Sequence, residues 1–269
     1  AFLSAVVTRV SIDVLRSARV RREQYVGQWL PEPLLTDPYE DPARSAELAD
    51  SVSMAALVLL ERLSPLERAV FVLHEVFGFG FPEVASAVGR SEAACRQLAV
   101  RARRHVDAGR PRFETDRRER DELAARFLDA LREGDLEGLR ELLAADVQMT
   151  ADAGGRAPLW GRGTFFGLEN VARLLTSTMP WFLGIGGEVE QHVVNGHPGV
   201  IFRDRGGKVL NIWTLDVLDG RIQMIRVVLN PDKLGHLGPV ADAWAVLHEA
   251  NEARRPVEPR ANRRRSAKE

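Results

Sequence analysis

The sequence predicts a multidomain chain with two folded units in series, an all-α unit carrying a helix-turn-helix and an α+β unit after it. Three observations predict this. The length of 269 residues exceeds the ~100–200 residues of an ordinary single domain. Apolar residues recur at helical spacing up to about residue 107, whereas alternating, strand-like patterns dominate from about 147 to 229. Between them lie an arginine-rich polar stretch at 110–120 and, further upstream, a proline-rich break at 29–42.

In chain order, residues 2 to 26 read as one amphipathic helix with Arg16, Arg19, Arg21 and Arg22 in its second half. Trp29-Leu30-Pro31-Glu32-Pro33, with Pro38 and Pro42, keeps 29–42 extended, because proline donates no backbone hydrogen bond. A helix over 43–63 follows, with Leu48, Val52, Leu59 and Leu63 on one stripe. Ser64-Pro65-Leu66-Glu67 is a capping box with proline at the first helical position, and Leu66, Val70, Leu73 and Phe77 form the predicted buried stripe of that helix. A short helix over 82–88 ends at Gly89, which supplies a left-handed residue. Ser91 caps the next helix, from Glu92 to about Asp107, which buries Cys95, Leu98 and Ala102. In the second unit, helices end near Gly134 and Leu143. Strands are predicted over 147–150, 188–194, 200–203, 208–218 and 221–229, with a helix at about 168–175 and a hairpin turn at Asp219-Gly220. A last helix over 239–253 leads into a basic tail containing Arg254, Arg255, Arg260, Arg263, Arg264, Arg265 and Lys268.

Composition narrows the function classes. Apolar residues make up 45% of the chain, enough for real cores. Charged residues are 28% and nearly cancel to a net charge of -1, so a nucleic-acid partner must be sought in the distribution of charge. The single cysteine, Cys95, excludes an intrachain disulfide and a multi-cysteine metal site, and fits a cytoplasmic location. His192 and His197 lack a third ligand at metal-site spacing, and His74 and His105 sit at helical positions, so neither a metal nor a cofactor is expected. No apolar run reaches the ~20 residues of a membrane span. The opening Ala1-Phe2-Leu3-Ser4, without an initiator methionine, reads as the middle of a helix, so a preceding segment is expected.

The sharpest chemical signal surrounds Gly89. Two helices joined by a tight glycine turn, the second exposing Arg96 and Gln97, meet the needs of major-groove reading, since arginine pairs bidentately with guanine and glutamine with adenine. Arg101, Arg103 and Arg104 are then placed for phosphates, and Ser91, Glu92 and Ala93 form the leading turn. An ordinary helical hairpin with a solvated face is the bland alternative.

The stretch Leu63 to Arg68, with Phe81-Pro82-Glu83-Val84-Ala85 and Ser91 to Arg103, resembles the second DNA-binding domain of extracytoplasmic-function sigma factors. In that family the domain reads the promoter −35 element. Residues 8–19, continued by Arg21-Arg22-Glu23, are similar to the end of the family's first domain, near the −10 element. Trp29 to Pro33 resembles the linker signature of sigma factors that carry a fused SnoaL-like domain, an α+β cone. Asn230-Pro231-Asp232-Lys233-Leu234 matches a second signature of that group. Asp152-Ala153-Gly154-Gly155-Arg156 matches a third loosely, because Ala153 and Arg156 stand where the pattern has glycine and lysine.

The resemblance implies a remnant of the first domain at 1–28, a linker at 29–42, a helix-turn-helix domain at 43–109, a SnoaL-like domain at 119–238, and a helix and tail at 239–269. It implies RNA polymerase core and promoter DNA as partners, with no membrane, and regulation through the linker and the two loop signatures. A rival reading makes the second unit an enzyme or small-molecule sensor that the helix-turn-helix merely localises. Asp152, Arg156, Asn211, Trp213 and Asp216 could approach a cone interior, but alternation puts Asn211 and Trp213 on one strand face and Asp216 on the other. No residue is assigned a catalytic role, and a small-molecule ligand in the cone stays open.

Overall fold

The computed structural model describes residues 2–23, 25, 27–35, 54–109, 117–156, 163–184 and 186–248, except 244 and 247. The stretches 36–53, 110–116, 157–162 and 249–269 lie outside the described residues, and with them the start of the predicted 43–63 helix and the basic tail.

Helix α1 (Phe2–Glu23) is followed by residues 27–35, which carry no helix, and, among the described residues, next by α2 (Met54–Arg62) and α3 (Pro65–Phe71). The capping box forms as predicted: Glu67 N–H donates to Ser64 Oγ at 3.3 Å and Ser64 N–H to Glu67 Oε2 at 3.1 Å. α3 does not run on regularly to Gly78. It widens into a π-helical turn over Val72–Val76, closed by Phe77 N–H donating to Val72 O at 3.0 Å. The extra residue in that turn rotates the chain beyond it, so Phe77 leaves the predicted buried stripe and is 66% exposed. α4 (Phe81–Val88) ends on Gly89 at φ 65°, ψ 45°, and α5 (Glu92–Gly109) begins with Ala94 N–H donating to Ser91 Oγ at 3.2 Å. Val70, Val84, Ala85, Cys95, Leu98 and Ala99 form the core of this helical unit. Helix α1 packs on α3 and α4, burying Thr8 and Ile12 one turn apart.

The second unit begins with α6 (Arg117–Glu133) and α7 (Leu136–Leu142), which Asp135 caps by accepting from Gly138 N–H at 3.0 Å. Then come β1 (Leu143–Asp152), β2 (Thr164–Phe166), α8 (Leu168–Gly184), β3 (Glu188–Val194), β4 (His197–Arg203), β5 (Val209–Leu218) and β6 (Arg221–Val228). The sheet order is β2-β1-β6-β5-β4-β3; β1 and β6 run parallel, and every other pair is antiparallel. The ladder register shifts between β1 and β6 near Leu143–Gln148, and extra residues stand in β5 opposite β4 and in β6 opposite β5, irregularities of the kind that bend strands.

The two sheet faces carry separate cores. On the inner face Val147, Met149, Trp213, Leu215, Ile225 and Val227 pack with Phe127, Leu131, Leu139 and Leu175 of the helices. On the outer face Val194, Ile201, Ile212 and Val228 pack with Leu30 of the linker and Leu234, and Val58 of α2 rests against the same cluster. One apolar cluster therefore joins the helical unit, the linker and the sheet.

Candidate functional site

Alternation along β1 sends Val147 and Met149 inward, so Asp152 emerges on the outer face at the strand end, fully buried. A buried carboxylate is stable only when its oxygens are well supplied with donors. Asp152 receives four. Oδ2 accepts from Leu30 N–H at 2.9 Å and from Lys233 Nζ at 2.7 Å; Oδ1 accepts from Gly154 N–H at 3.1 Å and from the Tyr25 hydroxyl. Lys233, equally buried, also donates to Leu30 O. Both backbone groups of Leu30 are thus held by one acid and one amine that lie 81 positions apart in the chain.

The aromatic residues complete the enclosure. Lys233 Nζ sits 3.4 Å from the Trp29 ring centroid, and Tyr25 meets Trp29 edge-on at 4.9 Å. Burial, and then the neighbouring Asp152 carboxylate, push the Tyr25 hydroxyl well above its ordinary range, so it stays protonated and can donate. Asn230 joins the two loops: Nδ2 donates to the Tyr25 hydroxyl at 3.3 Å, and Oδ1 accepts from Asp232 N–H at 3.1 Å. Gly154 is required here on two counts. Its φ is +66°, and a Cβ would stand 2.7 Å from Asn230 Oδ1. The two departures from the family pattern are accommodated. Ala153 is buried, while Arg156 turns outward and pairs with Asp232 at 3.3 Å.

The sequence-predicted residues Trp29, Leu30, Asp152, Gly154, Arg156, Asn230, Asp232 and Lys233 therefore meet at one place. Pro31, Pro33 and Leu234 are buried nearby, Glu32 points to solvent, Pro231 opens the short 3-10 turn Pro231–Lys233, and Gly155 takes a left-handed φ of 72°. Tyr25 is a member that sequence reading missed. Its hydrogen-bond partners, Asp152 and Asn230, are far away in the chain, so no local pattern marks it.

On α5, Ala93, Arg96, Gln97, Arg101, Arg103 and Arg104 are exposed, and Ser91 caps. Three of the arginines are paired within the chain: Arg96 with Glu92 at 3.1 Å, Arg101 with Glu67 at 3.6 Å, and Arg103 with Glu75. Burial raises the Glu67 carboxyl, but the Ser64 hydroxyl, the Ser64 backbone and Arg101 outweigh it and hold it below its usual range. Arg16 is exposed and pairs with Asp13 at 3.2 Å; the side chains of Arg19, Arg21 and Arg22 lie outside the described residues.

Residues 53–106, covering α2 to most of α5, match the family model described as Sigma-70, region 4. The chain is 38% identical over 242 residues to the ECF RNA polymerase sigma factor SigJ of Mycobacterium tuberculosis, covering 87% of this chain and 77% of that protein. It belongs to the ECF sigma factors. The crystal structure of SigJ superposes with a TM-score of 0.65 at 35% identity, covering 87% of this chain and 81% of that one. The probable sigma factor SigI of the same species is 37% identical over 154 residues, of whose length the chain spans about half, 53%. As a sigma factor the chain directs RNA polymerase to promoters, and its region 4 match takes in α4 and most of α5, the helix-turn-helix. Among the described residues no helix is long and apolar enough to cross a membrane.

Proposed function

We propose that the α+β domain, residues 119–238, regulates this sigma factor by clasping the linker over residues 29–35, and that it does so without catalysis. The observation that carries this reading is the double hold on Leu30, whose N–H and C=O are taken by Asp152 and Lys233. Geometry gives the direction. The −35 and −10 elements lie roughly 25 base pairs, or about 85 Å, apart on a duplex that rises 3.4 Å per pair. Packed helices sit ~8–10 Å apart, and α1, the end of the −10-reading domain, packs directly on α3 and α4 of the −35-reading domain. The clasped form is closed, and spanning a promoter requires it to open. Arg16, Arg19, Arg21 and Arg22 then serve the −10 side, while Arg96 and Gln97 read bases and Arg101, Arg103 and Arg104 contact phosphates on the −35 side. The partners are polymerase core and promoter DNA, met in the cytoplasm.

The absence of catalysis is supported by the position of the acids. Asp152 is engaged by four donors, and Asp216 is paired with Arg226 on the outer face. The test is in vitro transcription with core polymerase and the whole sigma factor. Asp152→Asn and Trp29→Ala should raise promoter output several-fold, with unchanged binding to a duplex carrying only the −35 half. Unchanged output from both variants would sink the clasp.

A second reading, a ligand on the inner face, has one observation in its favour. Trp213 Nε1 and Asn211 Oδ1 are buried there without a hydrogen-bond partner among the described residues. They sit two residues apart on one strand face, so a single ligand hydroxyl could accept from the first and donate to the second. Thermal-shift screening with small hydroxylated aromatics tests it: no stabilisation by any of them counts against a ligand.

A further inference from the structure

Past the double hold on Leu30, the linker meets a second set of partners that none of the three signatures contains. The β3–β4 hairpin turns through Asn195-Gly196, both with left-handed backbones at φ 51° and 74°. This is the two-residue turn that Asn-Gly favours. The Asn195 side chain does more than complete the turn. Its Oδ1 accepts from Leu34 N–H at 3.1 Å, and its own backbone N–H donates to Leu34 O at 2.7 Å. Leu35 then forms an antiparallel bridge with Val194, so the linker pairs with the end of β3, the outermost strand of the sheet. Two residues before Leu35, His236 Nε2 lies 2.7 Å from Pro33 O; a carbonyl only accepts, so the ring nitrogen donates. Asn195 is completely buried although it sits at the tip of a hairpin, where asparagine is ordinarily solvated.

We infer that Asn195 and His236 form a second linker-holding station, and that they are positioning residues for the regulation proposed above. The inference rests on that reading for its effect on output, but the contact itself is judged separately. The first station fixes Leu30 through charge. The second fixes Pro33 to Leu35 through hydrogen bonds to their backbone groups and through strand pairing, and so sets the direction in which the chain leaves the sheet toward the helix-turn-helix. A linker held only at Leu30 would pivot about that residue. Two stations four residues apart remove the pivot.

The test uses the whole sigma factor and two independent substitutions. Asn195→Gly keeps the left-handed turn and removes only the amide acceptor; a purely turn-forming asparagine would be replaced without loss, because glycine suits that backbone at least as well. His236→Ala removes a single donor from a surface residue, and His236→Gln restores a donor. We expect hydrogen exchange at the Leu34 amide to quicken on the order of five-fold or more in Asn195→Gly, as for loss of one hydrogen bond. His236→Ala should loosen the same segment and His236→Gln should recover it. Both loosening variants should shift promoter output in the same direction as Asp152→Asn. Leu34 exchange at the unmodified rate in both variants overturns the second station, as does faster exchange with unaltered output while Asp152→Asn changes it. If Asp152→Asn and Trp29→Ala both leave output flat, the regulatory reading fails, and the exchange rates alone decide whether the second station exists.

Discussion

Arg96 and Arg103 project from the same helix but are held by different elements, and the difference predicts how each behaves on DNA. Arg96 pairs with Glu92 one turn earlier on α5, an exposed pair worth only a few tenths of a kcal/mol and easily given up to a base edge. Arg103 is held by Glu75 of the π-helical turn, away from the leading end of the helix. Replacing Arg96 or Gln97 with alanine should cost about 1–3 kcal/mol of base discrimination, the worth of one bidentate pair to a base edge. Replacing Arg103 should weaken specific and random duplexes alike and flatten the salt dependence. Equal losses on both kinds of DNA for all three variants would show that α5 does not read bases. Tyr25 gives a pH prediction. Its folded pKa is raised, first by burial and then by Asp152, so the stability linked to its neutral form is complete below its unfolded pKa of ~10. That stability is lost as pH rises towards the folded value. The sequence has two tyrosines, so an ultraviolet titration of the native protein should show one ionising late, and Tyr25→Phe should abolish that late step.

Among the elements, α3 shows how a local code becomes a stable start. Ser64 and Glu67 satisfy one another's backbone donors, so Ser64→Ala should cost the helical unit about 1 kcal/mol, seen as a fall of several degrees in its melting temperature. The depressed Glu67 carboxyl adds a sign. Its contribution is complete above the ordinary carboxylate range and disappears as pH falls through the folded value, so Ser64→Ala should matter less in acid. An equal melting-temperature loss at neutral and acid pH would refute the coupling.

This capping box was legible because all its partners lie within four residues, and the same holds for Gly89, for the Ser91 cap and for the Asp219-Gly220 hairpin. The signatures around Leu30, Asp152 and Lys233 were legible only through resemblance. Their contacts bridge 81 to 203 positions, which no periodicity encodes. Strand β2 has three residues, too few for an alternating pattern, and α8 runs on to Gly184 through Pro180, where sequence reading stopped it near Leu175. Asn195-Gly196 is a hairpin signal of the same kind as Asp219-Gly220, but its hold on the linker is tertiary and left no trace. The exposure of Phe77 depends on a π-helical turn, which a 3.6-residue periodicity conceals.

Among the described residues, one apolar cluster belongs to neither unit alone: Leu30 and Val58 reach the outer face of the sheet beside Ile201, Ile212 and Val228. Burying Leu30 contributes ~1.5–3 kcal/mol by itself, modest beside the stability of a domain. Because the parts share one chain, modest is sufficient. A tethered surface meets its partner at an effective concentration in the millimolar range, so under the proposed regulation a contact too weak to survive between separate proteins suffices to hold the chain closed. Closure then does not depend on how many copies the cell makes, and neither dilution nor overproduction shifts it. A separate inhibitor must be matched in amount to its target and bind tightly enough to find it. A domain joined by the peptide bond is always present one to one, and it can be set near the midpoint of its own opening, where a small change in contact energy moves the largest share of molecules.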